Sequence, residues 1–335
     1  MRVLIYFESA DTIKRSGIGR AMRHQLKALE YAGVETVTDP AEVPFDIAHI
    51  NTYWPRSWKT LRKCRKAGIP VIVHGHSTYE DFRNSFRLWR LMEPFYRICL
   101  KHMYSRADMI IAPTPYARDL IASYPFVKCP VTSVSNGIDL AEYKEDPEAK
   151  RIFREKFGIG ENDAFVMGVG FPFERKGIRD FFELARRFPQ VKFIWFGSLE
   201  RILTSTKVLR WIKDRPENVL MPGYCEGRVI RGAFQCAKAL LFLSLEETEG
   251  IVVLEALASR CPVICRDIGV YREWLSDGAN AHLGSNNDDF ERILSGLLEN
   301  GEEQRILDSG YETVRERDLE KIGALLKSEY EELLT

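Results

Sequence analysis

Two carboxylates, Glu247 and Glu255, are separated by seven residues, and Gly250 lies between them in the stretch Ser244-Leu-Glu-Glu-Thr-Glu-Gly-Ile-Val-Val-Leu-Glu255. A pair spaced in this way can face different parts of one bound ligand. The apolar run 239–243 ahead of it has the length of a buried strand, and Leu254, Leu257 and Ala258 after it fall on the buried face of a helix. A helix that begins at Gly250 offers unpaired backbone N–H groups and the positive end of its dipole, which suits an anion, most often phosphate. Taken alone, Glu246, Glu247 and Glu249 are equally an acidic surface loop.

Other groups able to do chemistry sit at the ends of other apolar runs. Residues 164–170 read as a strand, and Arg175-Lys176-Gly177 follows it. A guanidinium fork beside a lysine ammonium suits a diphosphate, although exposed loop cations are the plain alternative. Residues 71–73 form another strand, with the polar tip His74-Gly75-His76-Ser77-Thr78-Tyr79-Glu80-Asp81. Ligands of open α/β sheets gather beyond the carboxyl ends of the strands, where these histidines stand. A first strand at 3–7 leads through a polar loop to Ser16-Gly17-Ile18-Gly19-Arg20 and a helix through Met22, Leu26 and Leu29. A Gly-rich loop ahead of a helix can cradle a diphosphate. Met22, however, occupies the third glycine position of a dinucleotide fingerprint, which weakens a hydride-transfer reading. Asn136-Gly137 is an ordinary turn or a ligand-facing tip. Further strands read at 44–51, 107–113, 131–139, 191–197, 219–224 and 263–266. The polar run 142–155 reads as an inter-domain linker, and the chain reads as helical from Asp289 onward.

The spacing of Glu247, Gly250 and Glu255, with Ser244 before it and Ala-Leu-Ala-Ser-Arg-Cys-Pro-Val-Ile after it, resembles the E-x7-E signature of glycosyltransferase family 4, retaining nucleotide-sugar enzymes of GT-B fold. The resemblance covers essentially the whole chain. It implies an α/β protein of two doubly wound Rossmann-like domains facing a cleft. Residues 1–145 would be an acceptor-side domain, 146–310 a nucleotide-sugar-binding domain, and 311–335 a C-terminal helix returning to the first domain. By the same likeness Glu247 holds hydroxyls of the donor sugar, Glu255 the ribose hydroxyls, and the amides of Gly250, Ile251 and Val252 the sugar and diphosphate. Gly17 and Gly19 close over the donor, Asn136 lies in an N-G-I-D signature at the cleft, and Gly223 and Tyr224 lie beside the base. The run from His76 to Asp81 is similar to members that glucosylate diacylglycerol, which implies that His76 contacts the donor sugar near the reacting carbon. Lys176 and Arg175 then face the leaving diphosphate. Three positions depart from the pattern: Leu243 stands where Pro is frequent, Arg260 where Gly is frequent, and Phe171 where an Arg usually precedes the Lys by five residues.

The 335 residues are 45 % hydrophobic and 29 % charged, a soluble composition sufficient for two domains of ordinary size. No apolar run approaches the ~18 residues of a membrane span, and residues 3–8 are too short for a signal sequence, so a cytoplasmic protein is expected. The seven cysteines have no spacing that makes a metal framework. No Asp-x-Asp run occurs to clamp a metal-bridged diphosphate, so metal-independent chemistry without a cofactor is expected, with the nucleotide sugar as substrate. The formal net charge is zero, but residues 1–130 hold 20 Lys and Arg against 12 Asp and Glu. Within that basic part, Arg83, Arg87, Arg90, Arg97 and Lys101 are spaced as one helical stripe, beside Phe82, Phe86, Trp89, Met92, Phe95 and Tyr96. This segment, or helix pair bent at Pro94, could offer charge and aromatic wedges to an anionic bilayer, or it could be a core helix with a solvated basic face. The likeness to glycolipid synthases favours the first. It implies a peripheral enzyme on the inner face of the plasma membrane that meets anionic lipid and its lipid acceptor through Arg83, Phe86, Arg87, Trp89 and Arg90. No nucleic-acid partner is expected, and the oligomeric state has no signature. The expected function is retaining transfer of a hexose from a nucleotide sugar, UDP-glucose or UDP-galactose, to a membrane glycolipid such as glycosyl-diacylglycerol. The alternatives are a catalytically silent sugar-nucleotide-binding subunit and a transferase for a soluble polysaccharide or protein.

Overall fold

Runs such as Ile47–Ile50 and Val71–His74 are buried at every position, which a strand achieves in a parallel sheet covered by helices on both faces. The computed structural model describes residues 1–10 and 16–335 and contains two such sheets. The first half comprises β1 (Arg2–Tyr6), α1 (Gly17–Tyr31), β2 (Glu35–Val37), β3 (Ile47–Ile50), α2 (Pro55–Lys66), β4 (Val71–His74), α3 (Tyr79–Phe82), α4 (Trp89–Tyr104), β5 (Met109–Ala112), α5 (Pro115–Ala122) and β6 (Val131–Ser133). The second comprises α6 (Pro147–Phe157), β7 (Phe165–Val169), α7 (Ile178–Arg187), β8 (Lys192–Phe196), α8 (Thr206–Lys213), β9 (Val219–Gly223), α9 (Arg228–Cys236), β10 (Ala239–Phe242), α10 (Ile251–Ala258), β11 (Val263–Arg266), β12 (His282–Gly284), α11 (Asn287–Asn300), α12 (Gln304–Arg315) and α13 (Leu319–Leu334).

Strand order is β2-β1-β3-β4-β5-β6 in one sheet and β12-β11-β10-β7-β8-β9 in the other, with parallel pairing between neighbours. Each order reverses once, between β1 and β3 and between β7 and β10. Such a reversal opens a crevice beyond the strand ends.

The chain divides into two compact units: Met1–Phe82, Arg90–Asp139 and Arg317–Thr335 form one, and Arg83–Trp89 with Leu140–Glu316 form the other. The expected boundaries shift accordingly. The return to the first unit falls at Arg317 rather than at 311, and the short segment Arg83–Trp89 is packed with the second unit. The expected linker 142–155 is not a linker. It holds a 3-10 turn at Leu140–Tyr143 and most of α6, which is capped by Asp146 and buries Ala149 and Phe153 in the second unit. Polar composition concealed it because its buried residues are few and widely spaced. In the first unit the core of Val3, Ile5, Leu29, Ile47 and Ile72 is closed by Leu319, Ile322, Leu326 and Tyr330 of α13. In the second, Phe181, Phe193, Trp195, Leu241, Ile264 and Phe290 are buried together. All seven cysteines are free thiols, four of them buried.

Candidate active site

In the second unit the loops that leave β7 and β10 emerge at the strand-order reversal, and they bring Arg175, Lys176 and Glu247 together. Lys176 Nζ is paired with Glu247 Oε1, and Arg175 Nη1 lies 3.4 Å from the same oxygen. Glu247 is 7 % exposed. Burial raises the pKa of its carboxyl, but the Lys176 and Arg175 charges outweigh that and hold it below the ordinary carboxylate value. The group is therefore a carboxylate at neutral pH and a weak base.

Two glycines permit this approach. Gly177 has φ +73°, and a Cβ there would meet the Leu243 carbonyl oxygen at 2.2 Å, so the Arg-Lys loop could not lie against the end of β10 with any side chain at 177. Gly250 has φ +84° and caps α10, and a Cβ there would meet the Tyr271 hydroxyl at 2.6 Å. The amides of Ile251 and Val252 follow in the first turn of α10, which is the anion-binding end of a helix. Glu255, one turn further on, is fully buried and accepts a 2.7 Å hydrogen bond from the Tyr143 hydroxyl. Gly223 ends β9 with φ +84°, and half-buried Tyr224 follows it.

Arg175 is held from a segment that sequence reasoning placed elsewhere. Its Nε donates to Ser85 Oγ at 2.7 Å, its backbone N–H donates to the Asn84 carbonyl at 3.2 Å, and its own carbonyl accepts from the Leu245 N–H at 2.8 Å. Phe171, standing where a cation is usual, stacks on Phe173 at 5.4 Å, and Phe173 in turn lies 5.1 Å from Phe86. Ser85, Tyr143 and Tyr271 had no local signal in the sequence, since each reaches the site from a distant point of the chain.

In the first unit, His74 ends β4 and His76 follows two residues later. The rings of His74 and His76 stack at 3.8 Å, and those of His49 and His74 at 5.2 Å. Desolvation pushes His49 and His76 down to about 3 and His74 well below its ordinary value, with further lowering of His49 and His74 by His76. All three rings are neutral at pH 7. Asn136 is buried, and the carbonyl of the next residue, Gly137, accepts a 2.8 Å hydrogen bond from His24 Nδ1. Gly17 and Gly19 do not form a loop ahead of a helix: they lie in the first turn of α1, where the Gly19 N–H donates to the Ser16 hydroxyl. Residues 11–15, which the sequence reading counted in the polar loop, lie outside the described residues.

The stripe of cations from Arg83 to Lys101 is broken. Residues 83–88 are not helical, with Asn84 and Leu88 at positive φ, and α4 then runs as one helix through Pro94. Arg83 and Arg87 are exposed on the non-helical segment, and Arg90 is exposed in the first turn of α4. Phe82 and Tyr96 are not available as wedges, because they are buried and stack on each other at 3.9 Å. Phe86 and Trp89 are half-buried. The outward apolar residues are instead Leu91, Met92, Phe95 and Ile98, with Leu91 77 % exposed. Leu91, Phe95 and Ile98 recur at helical spacing, and Arg90, Arg97 and Lys101 flank them on one side. No helix among the described residues is long and apolar enough to cross a membrane, and no group of three or more His, Cys, Asp or Glu among them could hold a metal ion.

Residues 16–142 match the family model described as Glycosyltransferase Family 4, and residues 149–311 that of Glycosyl transferases group 1. The chain is 46 % identical over 334 residues to the processive diacylglycerol alpha-glucosyltransferase of Acholeplasma laidlawii, across 100 % of this chain and 99 % of that one. It is 24 % identical over 294 residues to the alpha-galactosylglucosyldiacylglycerol synthase of Streptococcus pneumoniae, across 82 % and 75 % of the two chains. Among solved structures, Anabaena HepE in complex with UDP-glucose matches with a TM-score of 0.80 at 16 % identity, covering 99 % of this chain and 100 % of that one. Sucrose-phosphate synthase from Thermosynechococcus elongatus matches at 0.83 and 15 % identity, covering 99 % of both. At such identities the structural likeness establishes the fold, two parallel-sheet domains of GT-B type. With the paired loops at the β7/β10 reversal and a relative of this identity over its full length, the chain belongs to the glycosyltransferases of family 4.

Proposed function

We propose that this protein transfers a hexose, with retention of anomeric configuration, from UDP-glucose or UDP-galactose to a glycosyl-diacylglycerol in a membrane. The observation that carries the reading is the cluster of Arg175, Lys176 and Glu247 at the strand-order reversal, beside the N-terminus of α10. When the bond from the anomeric carbon to the diphosphate breaks, negative charge grows on the leaving oxygens. Lys176, Arg175 and the amides of Gly250, Ile251 and Val252 stabilise it. Glu247 binds hydroxyls of the donor sugar and Glu255 those of the ribose; Gly223 and Tyr224 lie against the base. Gly17 and Gly19 approach the diphosphate, while Asn136 and His76 approach the sugar.

A carboxylate already paired with two cations is a poor nucleophile, which favours displacement on one face of the sugar over a covalent intermediate. In that step the acceptor oxygen bonds the anomeric carbon as the diphosphate departs, and the leaving oxygen takes the acceptor's proton. The charge handling is supplied by side chains and amides, so no metal is required and activity persists in excess EDTA.

The lipid surface is met by the outward stripe of α4. Leu91, Phe95 and Ile98 enter the headgroup boundary and Arg90 and Lys101 meet anionic lipid, each cation contributing about 1 kcal/mol. Arg83 and Arg87, together with half-buried Phe86 and Trp89, belong to the neighbouring segment. The protein thus acts as a peripheral enzyme. The test supplies each nucleotide sugar with liposomes of anionic lipid and glycosyl-diacylglycerol. An α-linked glycolipid is the expected product, and a β-linked product or no sugar transfer contradicts the reading. Replacing Leu91 and Phe95 with Glu should weaken liposome cosedimentation by at least about tenfold; unchanged cosedimentation would remove α4 from the lipid surface.

A further inference from the structure

Two turns of the second unit hold apolar side chains in water at fixed tips. In the segment Arg83–Trp89, Leu88 has φ +60° and is 62 % exposed. In the loop between β8 and α8, Ile202 is 87 % exposed and Leu203 43 %. The two turns are joined directly, because the Arg87 N–H donates to the Leu203 carbonyl at 2.6 Å.

Neither tip is slack. The Glu200 carbonyl accepts from the Leu203 N–H, the Thr204 N–H and the Thr204 hydroxyl, each at 2.9 Å, and Thr204 is fully buried. α8 begins at once, capped by the Ser205 hydroxyl. On the other turn, Leu88 stands between the Arg87 bond and a 3.3 Å bond from the Trp89 N–H to the Phe86 carbonyl. A leucine at positive φ strains its backbone, and its side chain in water forgoes burial. Strain of this kind collects where a ligand or surface is to be met.

The chemistry of the two turns identifies what they meet. Residues 83–89 and 200–204 hold three arginines, Arg83, Arg87 and Arg201, against one acid, Glu200. Arg87 and Arg201 are exposed. Three apolar side chains on two tips are far fewer than the ~20–30 residues a side of a stable protein interface. Wedges accompanied by cations suit instead the headgroup layer of an anionic bilayer. Leu88 also stands three residues ahead of Leu91 in the chain, where the α4 stripe assigned to lipid begins.

We infer that Leu88, Ile202 and Leu203 form a second lipid contact, on the second unit, which enters the headgroup boundary while Arg87 and Arg201 meet lipid phosphates. Each unit then binds the membrane through residues of its own. The inference rests on the membrane acceptor of the proposed function.

The test is cosedimentation of the full chain with vesicles of phosphatidylcholine and phosphatidylglycerol in equal parts, paired with sugar transfer to glycosyl-diacylglycerol in detergent micelles. Ile202→Gln with Leu203→Gln should weaken vesicle binding about tenfold and leave turnover in micelles unchanged. Leu88→Gly should weaken binding about threefold while the urea midpoint stays equal or rises, since glycine accepts this backbone; a merely structural leucine would lower the midpoint. Leu220→Gln, at an equally exposed leucine of β9, should change neither. Vesicle binding within about twofold of the unaltered protein in both tip variants, or an equal loss in Leu220→Gln, would overturn the inference. So would a dimer of the unaltered protein that the Gln variant dissolves while its vesicle binding persists, which assigns the tips to a second copy. If Leu91→Glu with Phe95→Glu removes vesicle binding and the tip variants do not, the second contact fails and the proposed function stands. An unaltered protein that binds no vesicle overturns the inference, and one that also transfers no sugar in micelles refutes the proposed function.

Discussion

The strand ends of the two units carry opposite chemistry. Beyond β7 and β10 the second unit assembles a buried carboxylate between two cations, at the positive end of a helix. Beyond β3 and β4, the first unit assembles imidazoles and amides, all neutral and tied to one another by hydrogen bonds. The first arrangement answers to charge that changes during a reaction, because buried ions are strong partners when they are matched and costly when they are not. The second is a neutral set of donors and acceptors, of the kind that suits hydroxyls. One parallel-sheet plan, used twice, thus carries a charged cluster in one unit and a neutral one in the other.

The contrast is broken most forcefully at Lys176. Lys176→Ala should lower the transfer rate by about 10²–10³, and it should also raise the pKa of Glu247, because burial would then be opposed by Arg175 and the Ser244 hydrogen bond without the Lys176 charge. A drop of less than fivefold in a folded variant would mean that the charge cluster does not stabilise the leaving group.

Acid separates the two regions next. Burial lowers His24 to about 4, His49 and His76 to about 3, and His74 in the same direction. Between those values and the unfolded value near 6.5 the unfolded chain binds more protons than the folded one, so stability falls as pH falls through that window. Each ring should cost about 1–2 kcal/mol between pH 7 and pH 5. Glu247 has linkage of the same sign in a lower window: its folded pKa is lowered too, so its contribution is present above the unfolded carboxylate value and is lost only below it. Hydrogen exchange at pH 5 should therefore show amides of the first unit losing protection while those around β7 and β10 keep theirs. Loss of protection in the second unit first would reverse the comparison.

A smaller effect is expected at Ser85, which accepts from Arg175 Nε. Ser85→Ala should reduce kcat about tenfold, with the nucleotide affinity little changed. Equal activity would show that the Asn84 carbonyl and Leu245 N–H are sufficient to place Arg175.

The smallest expected effect is at Arg260. This residue has φ +54° just after α10, which explains why glycine is common there, and it pairs with Asp308 and lies 4.7 Å from the Tyr311 ring centre. Arg260→Gly relieves a left-handed backbone and loses an exposed ion pair, so urea unfolding should change by less than about 1 kcal/mol, with turnover unchanged.

Such a position shows what could be read in advance. Strands were legible because parallel strands buried on both faces are uninterrupted apolar runs, and Glu247 and Glu255 were legible because one turn and one helix carry both. Three-residue strands such as β2 and β12 lack the length for a pattern, and α6 hides beneath charges. Residues 82–104 were misread because helical spacing was continued through Asn84 and Leu88, whose backbone leaves the helix, and because Phe82 and Tyr96 are counted as wedges only if their stacking inside the unit is unseen. The hydrogen bond between Asn51 and His76 and the hold of Ser85 on Arg175 join residues far apart in sequence, and no spacing rule reaches them.

The proposed assignment of Glu247 to the donor sugar is tested most directly by titrating UDP-glucose and UDP separately into the unaltered protein and into Glu247→Gln. The account predicts that the variant binds UDP as before and UDP-glucose at least about tenfold more weakly, since Glu247 is assigned to sugar hydroxyls and charged hydrogen bonds contribute about 1.5–3 kcal/mol. Equal weakening of both ligands, or unchanged affinity for UDP-glucose, would contradict it.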